Sequence, residues 1–267
     1  MRYAYHFEFC ERPELPEWLR GELFESLGWV QSSFGLERVL GATVPEFVLE
    51  ARASRLIELG SGSGRGLASV AAGLDRKGAR VPTLATDKYP QTELWRARFG
   101  GQAAEVGVSW SERAVGFEDF DQCLAAETLA GSVLLLTAAF HHMDPVRARA
   151  FLERAADVRA SVVVVEPLER SWVGALLGGL AGLPALAAPL SAARARTLAG
   201  FLRTVLVHWL VPVVPLILSH DGVVSALRQR TPADWTALTA DLPFERSDRL
   251  GLGLLQNFSA ILLKYPS

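Results

Sequence analysis

From Ile57 to Gly64 the chain reads Ile-Glu-Leu-Gly-Ser-Gly-Ser-Gly, an acid followed by three glycines at alternate positions. Glycines let a backbone approach a ligand closely, and a loop of this kind that opens a helix offers it unpaired N–H groups. Asp87 comes 23 residues after Gly64, at the end of the next apolar run. A carboxylate there can accept both hydroxyls of a ribose. Glu58, Gly60, Gly62, Gly64 and Asp87 therefore describe a nucleoside site at the carboxyl edge of a parallel sheet. A second cluster, Phe140-His141-His142, follows the fourth apolar run. An imidazole, with an ordinary pKa of about 6.5, can take a proton at neutral pH. Packing, or capping of the next helix, is the other reading of these histidines.

Spacing narrows the nucleoside. A dinucleotide fingerprint needs a glycine where this chain has Arg65, and no Gly-Lys-Ser/Thr string of a phosphate loop occurs. The acid-x-Gly-x-Gly-x-Gly string resembles the first motif of class I S-adenosylmethionine-dependent methyltransferases, and the resemblance covers residues 55–166 and the terminal strand pair. It implies a seven-stranded, mostly parallel, doubly wound α/β sheet in the order 3-2-1-4-5-7-6, with strand seven antiparallel. It also implies S-adenosyl-L-methionine as cofactor, with Glu58, Gly60, Gly62 and Gly64 at its methionine part and Asp87 at its ribose. Glu112 or Glu118 would face the adenine, and Phe140 would form a wall beside the cofactor. The acceptor would sit above strand four, where His141 or His142 would act as base. In-line methyl displacement mainly needs alignment in a dry site, and no cluster of acids and amides marks a metal. A narrower resemblance, to a bacterial methyltransferase subfamily with the same insertion, rests on Phe7-Glu8-Phe9, Pro16 to Arg20, Ala139 to His142, Pro212 to Pro215 and Asp221 to Ser225. It adds nothing about the acceptor.

The elements that would position these residues follow from periodicity. Short apolar runs at Arg55–Leu59, Thr83–Thr86, Val106–Trp110, Ser132–Thr137 and Ser161–Glu166 alternate with helical patterns, as parallel βαβ units do. The helices are expected at Gly66–Asp75, Thr92–Phe99, Glu118–Glu127 and Pro145–Ala156, the last started by Asp144-Pro145. Trp18, Leu19, Leu23, Phe24, Leu27 and Val30 predict an amphipathic helix, followed by a second from Gly35 to Leu49 that breaks at Pro45. A helix from Pro232 to Leu238 and strands near Phe244–Arg249 and Phe258–Tyr265 close the chain. The expected division is a helical cap at 1–50, a cofactor-binding core at 51–170, a hydrophobic helical insertion with its following helix at 171–242, and a strand pair at 243–267.

The chain has 267 residues, 50% of them hydrophobic, and a net charge of −2, with a pI of about 6.2. Such a balance excludes disorder and argues against nucleic acid as partner. Only Cys10 and Cys123 are present, so neither a disulfide framework nor a structural zinc site is expected. Residues 1–20 lack the apolar core of a signal peptide, which makes the cytoplasm the expected compartment. The mean hydropathy of +0.21 concentrates in two uncharged stretches, Ser171–Ala193 and Thr204–Ser219. Three readings of them stand open: a membrane-spanning hairpin, a shallow lid at the inner membrane, or a cover lining an apolar pocket or an oligomer interface. Pro212 and Pro215 and the arginines between the stretches argue against spanning. The reading is a methyltransferase acting on a hydrophobic small molecule; the alternative is a non-catalytic cofactor-binding module that docks a partner or membrane.

Overall fold

The computed structural model describes residues 6–100, 107–187, 198–252 and 257–266. In chain order it begins with α1 (Glu17–Ser33), α2 (Leu36–Glu50), β1 (Arg55–Leu59), α3 (Arg65–Arg76), β2 (Thr83–Thr86), α4 (Thr92–Phe99) and β3 (Val108–Trp110). Next come α5 (Phe120–Cys123), α6 (Ala126–Leu129), β4 (Ser132–Thr137), α7 (Pro145–Asp157), β5 (Ser161–Glu166), α8 (Trp172–Gly179) and α9 (Gly182–Ala185). The chain ends with α10 (Leu198–Val205), a π-helical segment (Leu206–Leu210), α11 (Val213–Arg228), α12 (Pro232–Thr239), β6 (Glu245–Leu252) and β7 (Asn257–Lys264). Two compact units result: a helical unit of residues 1–34 and 168–230, and a sheet unit of residues 35–167 and 231–267.

The seven strands of the sheet unit run in the order β3-β2-β1-β4-β5-β7-β6. Strands β1 to β5 are parallel, and β7 is antiparallel to both β5 and β6. This is the expected order. Every residue of β5 is buried, as a strand covered on both faces requires. Alternation divides β4 between two cores: Val133 and Leu135 join Phe47, Leu67 and Trp95 on one face, while Leu134 and Leu136 join Phe151 and Trp235 on the other. The Asp144 carboxylate accepts the N–H groups of Val146 and Arg147 and starts α7.

Several boundaries differ from the sequence reading. Helix α2 does not break but runs through Pro45. The proline leaves the Gly41 carbonyl without its helical donor, and the Arg76 guanidinium donates to it at 3.2 Å. Because α2 buries Leu40, Val44 and Phe47 in the sheet core, it belongs to the sheet unit, so the helical cap ends at Phe34. The region after β5 joins residues 1–34 as a compact unit of its own, and α12 packs with the sheet unit through Trp235. The pattern expected at Glu118–Glu127 is two short helices, α5 and α6. Val106 lies outside the described residues.

In the helical unit, Leu19, Leu23 and Val30 of α1 share a core with Ala185, Val207, Val214, Ile217 and Leu218. A polar cluster fastens the N-terminal segment. Arg228, fully buried, donates to Glu8 at 3.2 Å and to Glu11 at 2.7 Å. Ser225 also donates to Glu8, and Asp221 accepts the N–H groups of Phe9 and Cys10. Arg20 donates to the carbonyls of Cys10 and Arg12. The strings Phe7-Glu8-Phe9 and Asp221 to Ser225 are thus two halves of one internal fastening. Burial, reinforced by Glu8, Asp221 and Glu11, pushes the Cys10 thiol well above its ordinary range.

Candidate functional site

The glycine loop joins β1 to α3, with Gly60, Gly62 and Gly64 at φ of 80°, 50° and 77°. At Gly64 a side chain is excluded twice, by that dihedral and by space: a Cβ would lie 2.9 Å from the Phe99 ring and 3.0 Å from Trp95. The Trp95 indole N–H donates to the Gly62 carbonyl at 2.9 Å, and Arg98 donates to the Ser63 carbonyl at 2.7 Å. Helix α4 therefore holds the loop from behind.

Asp87, at the end of β2, is buried and accepts the Gly62 N–H at 2.9 Å and the Tyr89 N–H at 2.8 Å. A carboxylate offers about four acceptor directions, and these two bonds fix its plane beside the glycines. The loop after β3 returns to the same place, where the Val115 N–H donates to the Asp87 carbonyl at 3.0 Å. The Phe117 ring stands 3.4 Å from the position of a Cβ on Gly60.

Glu58 is 2% exposed. Its Oε1 accepts the Thr137 hydroxyl at 2.9 Å, whereas Oε2 is buried with no hydrogen-bond partner among the described residues. Burial pushes its pKa up to about 7; the hydroxyls of Thr137 and Ser61 oppose this and the charge of Asp87 adds to it. An unpartnered buried carboxylate oxygen is costly and is satisfied by a donor brought from outside. The ammonium of a methionine moiety is such a donor, and the diol of a ribose suits Asp87. Glu58, the glycines and Asp87 fit S-adenosyl-L-methionine on these grounds.

The segment after β4 carries the histidines. His141 is buried, its N–H donating to Glu166 Oε1 at 3.1 Å and its Nδ1 lying 2.9 Å from Oε2. Glu166, the last residue of β5, fixes both the backbone and the ring of His141. His142 is half-buried, with its ring centroid 4.4 Å from that of His141. Neither histidine caps α7, since Asp144 does.

Structure and expectation part at three residues. Phe140, expected as a wall beside the cofactor, is buried in the core, stacked on Trp235 at 4.7 Å and edge-on to Phe151 at 6.2 Å. Glu112 is exposed on the loop after β3, and Glu118 is ion-paired with Arg147. Thr137, Glu166, Phe117 and Trp95 went unassigned. Glu166 carried a signal, a single acid closing an otherwise apolar run.

Comparison with known proteins agrees with this geometry at the level of fold. No protein-family model and no curated protein matches the chain. Among solved structures, the methyltransferase domain of bacterial CtHen1-C superposes with a TM-score of 0.50 at 14% identity, covering 86% of this chain and 99% of that one. The CMeT domain of the citrinin polyketide synthase gives 0.47 at 13% identity over 80% of this chain, which spans about half (47%) of that longer one. The CurJ carbon methyltransferase gives 0.44 at 13% identity, covering 80% and 49%.

Proposed function

We propose that this class I methyltransferase fold binds S-adenosyl-L-methionine in its sheet unit and transfers the methyl group to a hydrophobic small molecule. The observation that carries the reading is the buried, unpartnered Glu58 Oε2 at the root of a glycine loop closed by Asp87. Bound there, the cofactor would supply a sulfonium methyl carbon open to in-line attack by an acceptor, with the thioether product as the leaving group. Glu58 holds the ammonium, Asp87 orients the ribose, and the loop N–H groups approach the cofactor where no side chain intervenes. For an acceptor that arrives protonated, His141, whose Nδ1 lies against Glu166 Oε2, would take the proton. Glu166 is the positioning residue, setting the ring plane and stabilising the imidazolium as it forms. The expectation of a hydrophobic acceptor comes from composition, from the uncharged stretches 171–193 and 204–219 of the sequence.

Titration calorimetry tests the cofactor. The protein should bind S-adenosyl-L-methionine and its demethylated product, and Asp87→Ala should weaken both by about 10- to 100-fold, the scale of hydrogen bonds to a charged group. Equal or tighter binding of NAD would overturn the reading. Binding of both without release of labelled methyl to any organic-soluble acceptor would leave a cofactor-binding module.

A further inference from the structure

The helical unit exposes large apolar side chains in ordered stripes. On α8, the turn that follows and α9, Trp172, Val173, Leu176, Leu180 and Leu183 are exposed, and helical periodicity puts them on one side. The other side of α8 and α9 packs backbone to backbone: a Cβ on Gly178 would lie 2.1 Å from the Gly222 carbonyl oxygen of α11, and one on Gly182 of α9 would lie 2.3 Å from that of Pro215. Gly174, Gly178 and Gly182 recur at every fourth position, the small-residue spacing that brings helices together in lipid.

A second stripe continues the first. Leu198, Leu202, Leu206 and Trp209 of α10 and the π-helical segment are exposed. The Trp209 indole donates to the Leu186 carbonyl at 2.8 Å, and the Arg203 guanidinium lies 5.7 Å over the ring of exposed Trp18. Residues 198–210 and α11 together have the length and hydropathy of a membrane span, but they bend by 59° at the break between them. No single described helix is long and apolar enough to cross a membrane.

Charge selects the occupant. From residue 171 to residue 220 there is no aspartate or glutamate, and the only formal charges are Arg194, Arg196 and Arg203, the first two outside the described residues. The remainder of the chain is net acidic. Residues 171–220 carry only positive formal charge, which complements anionic headgroups, with Glu22 of α1 set against Thr204 beside the second stripe. Tryptophans beside arginines suit the level of the headgroups.

We propose that the helical unit docks on anionic lipid bilayers, its apolar stripes entering one leaflet without crossing it. This docking does not depend on the reaction proposed above. The test floats the full chain with vesicles of phosphatidylcholine alone and of equal parts phosphatidylcholine and phosphatidylglycerol. The mixed vesicles should capture the protein, and capture should fall several-fold on neutral vesicles and in high salt. Trp172→Glu combined with Leu176→Glu should lower capture about tenfold or more, with circular dichroism and cofactor titration unchanged. Arg203→Glu should weaken capture by anionic vesicles alone. Wild-type protein that stays unbound with both vesicles overturns the proposal. If sedimentation then shows a stable dimer that the double variant disperses, the face belongs to a second copy.

Discussion

Trp95 in the sheet unit has no exposed surface, while Trp172 in the helical unit is 79% exposed. The contrast is general. The sheet presents two apolar faces, and helices on both sides close over them, so Leu134 and Val163 are also fully buried. The helices of the other unit share a small apolar core around Leu23 and Val214, and also meet through glycines and polar side chains, at Gly178 against Gly222 and at Arg228 against Glu8, while Trp172, Leu176, Leu183 and Leu198 face outward. Apolar content measures how much surface must be covered, not where its cover lies. In the sheet unit the chain covers itself; in the helical unit the stripes are left for something else.

Denaturant unfolding followed by circular dichroism can break this comparison. Trp95→Ala should cost about 4 kcal/mol, the scale for deleting a buried aromatic ring. Arg228→Met should cost about 3 kcal/mol, because it strands the Glu8 carboxylate in the interior, and adding Glu8→Leu should recover much of that loss. Trp172→Ala should stay within about 0.5 kcal/mol. A cost at Trp172 comparable to that at Trp95 would mean that the outward stripe is part of a core.

The sheet was legible because its signals are local and agree. Alternating strand and helix patterns, the Asp144-Pro145 start and the glycine loop each constrain the same topology, and all reappear in the structure. Pro45 was read as a break, yet the Gly41 carbonyl it leaves without a helical donor receives one from Arg76, a residue remote in sequence. The compact units differ from the expected division in where α2 and α12 fall, since periodicity shows that a helix has an apolar face but not which core receives it. The nearness of Asp87 to the glycine loop was legible from its spacing. Glu166 was not, because its role exists only where β4 and β5 lie side by side. Phe140 was read from its neighbours in sequence, and its ring turns the other way, onto Trp235.

A Glu58 carboxylate that receives the ammonium of S-adenosyl-L-methionine makes cofactor affinity depend on pH. Without ligand, burial raises Glu58 from about 4.5 to about 7. Its contribution to stability is therefore fully present below the unfolded value and lost as pH rises through the folded one. A bound ammonium favours the ionised carboxylate, so affinity measured by calorimetry should rise about tenfold from pH 5.5 to pH 7. Glu58→Gln should bind more weakly and lose that dependence. An affinity that does not change with pH in the wild type, or a Glu58→Gln variant with the wild-type affinity and slope, would contradict the account.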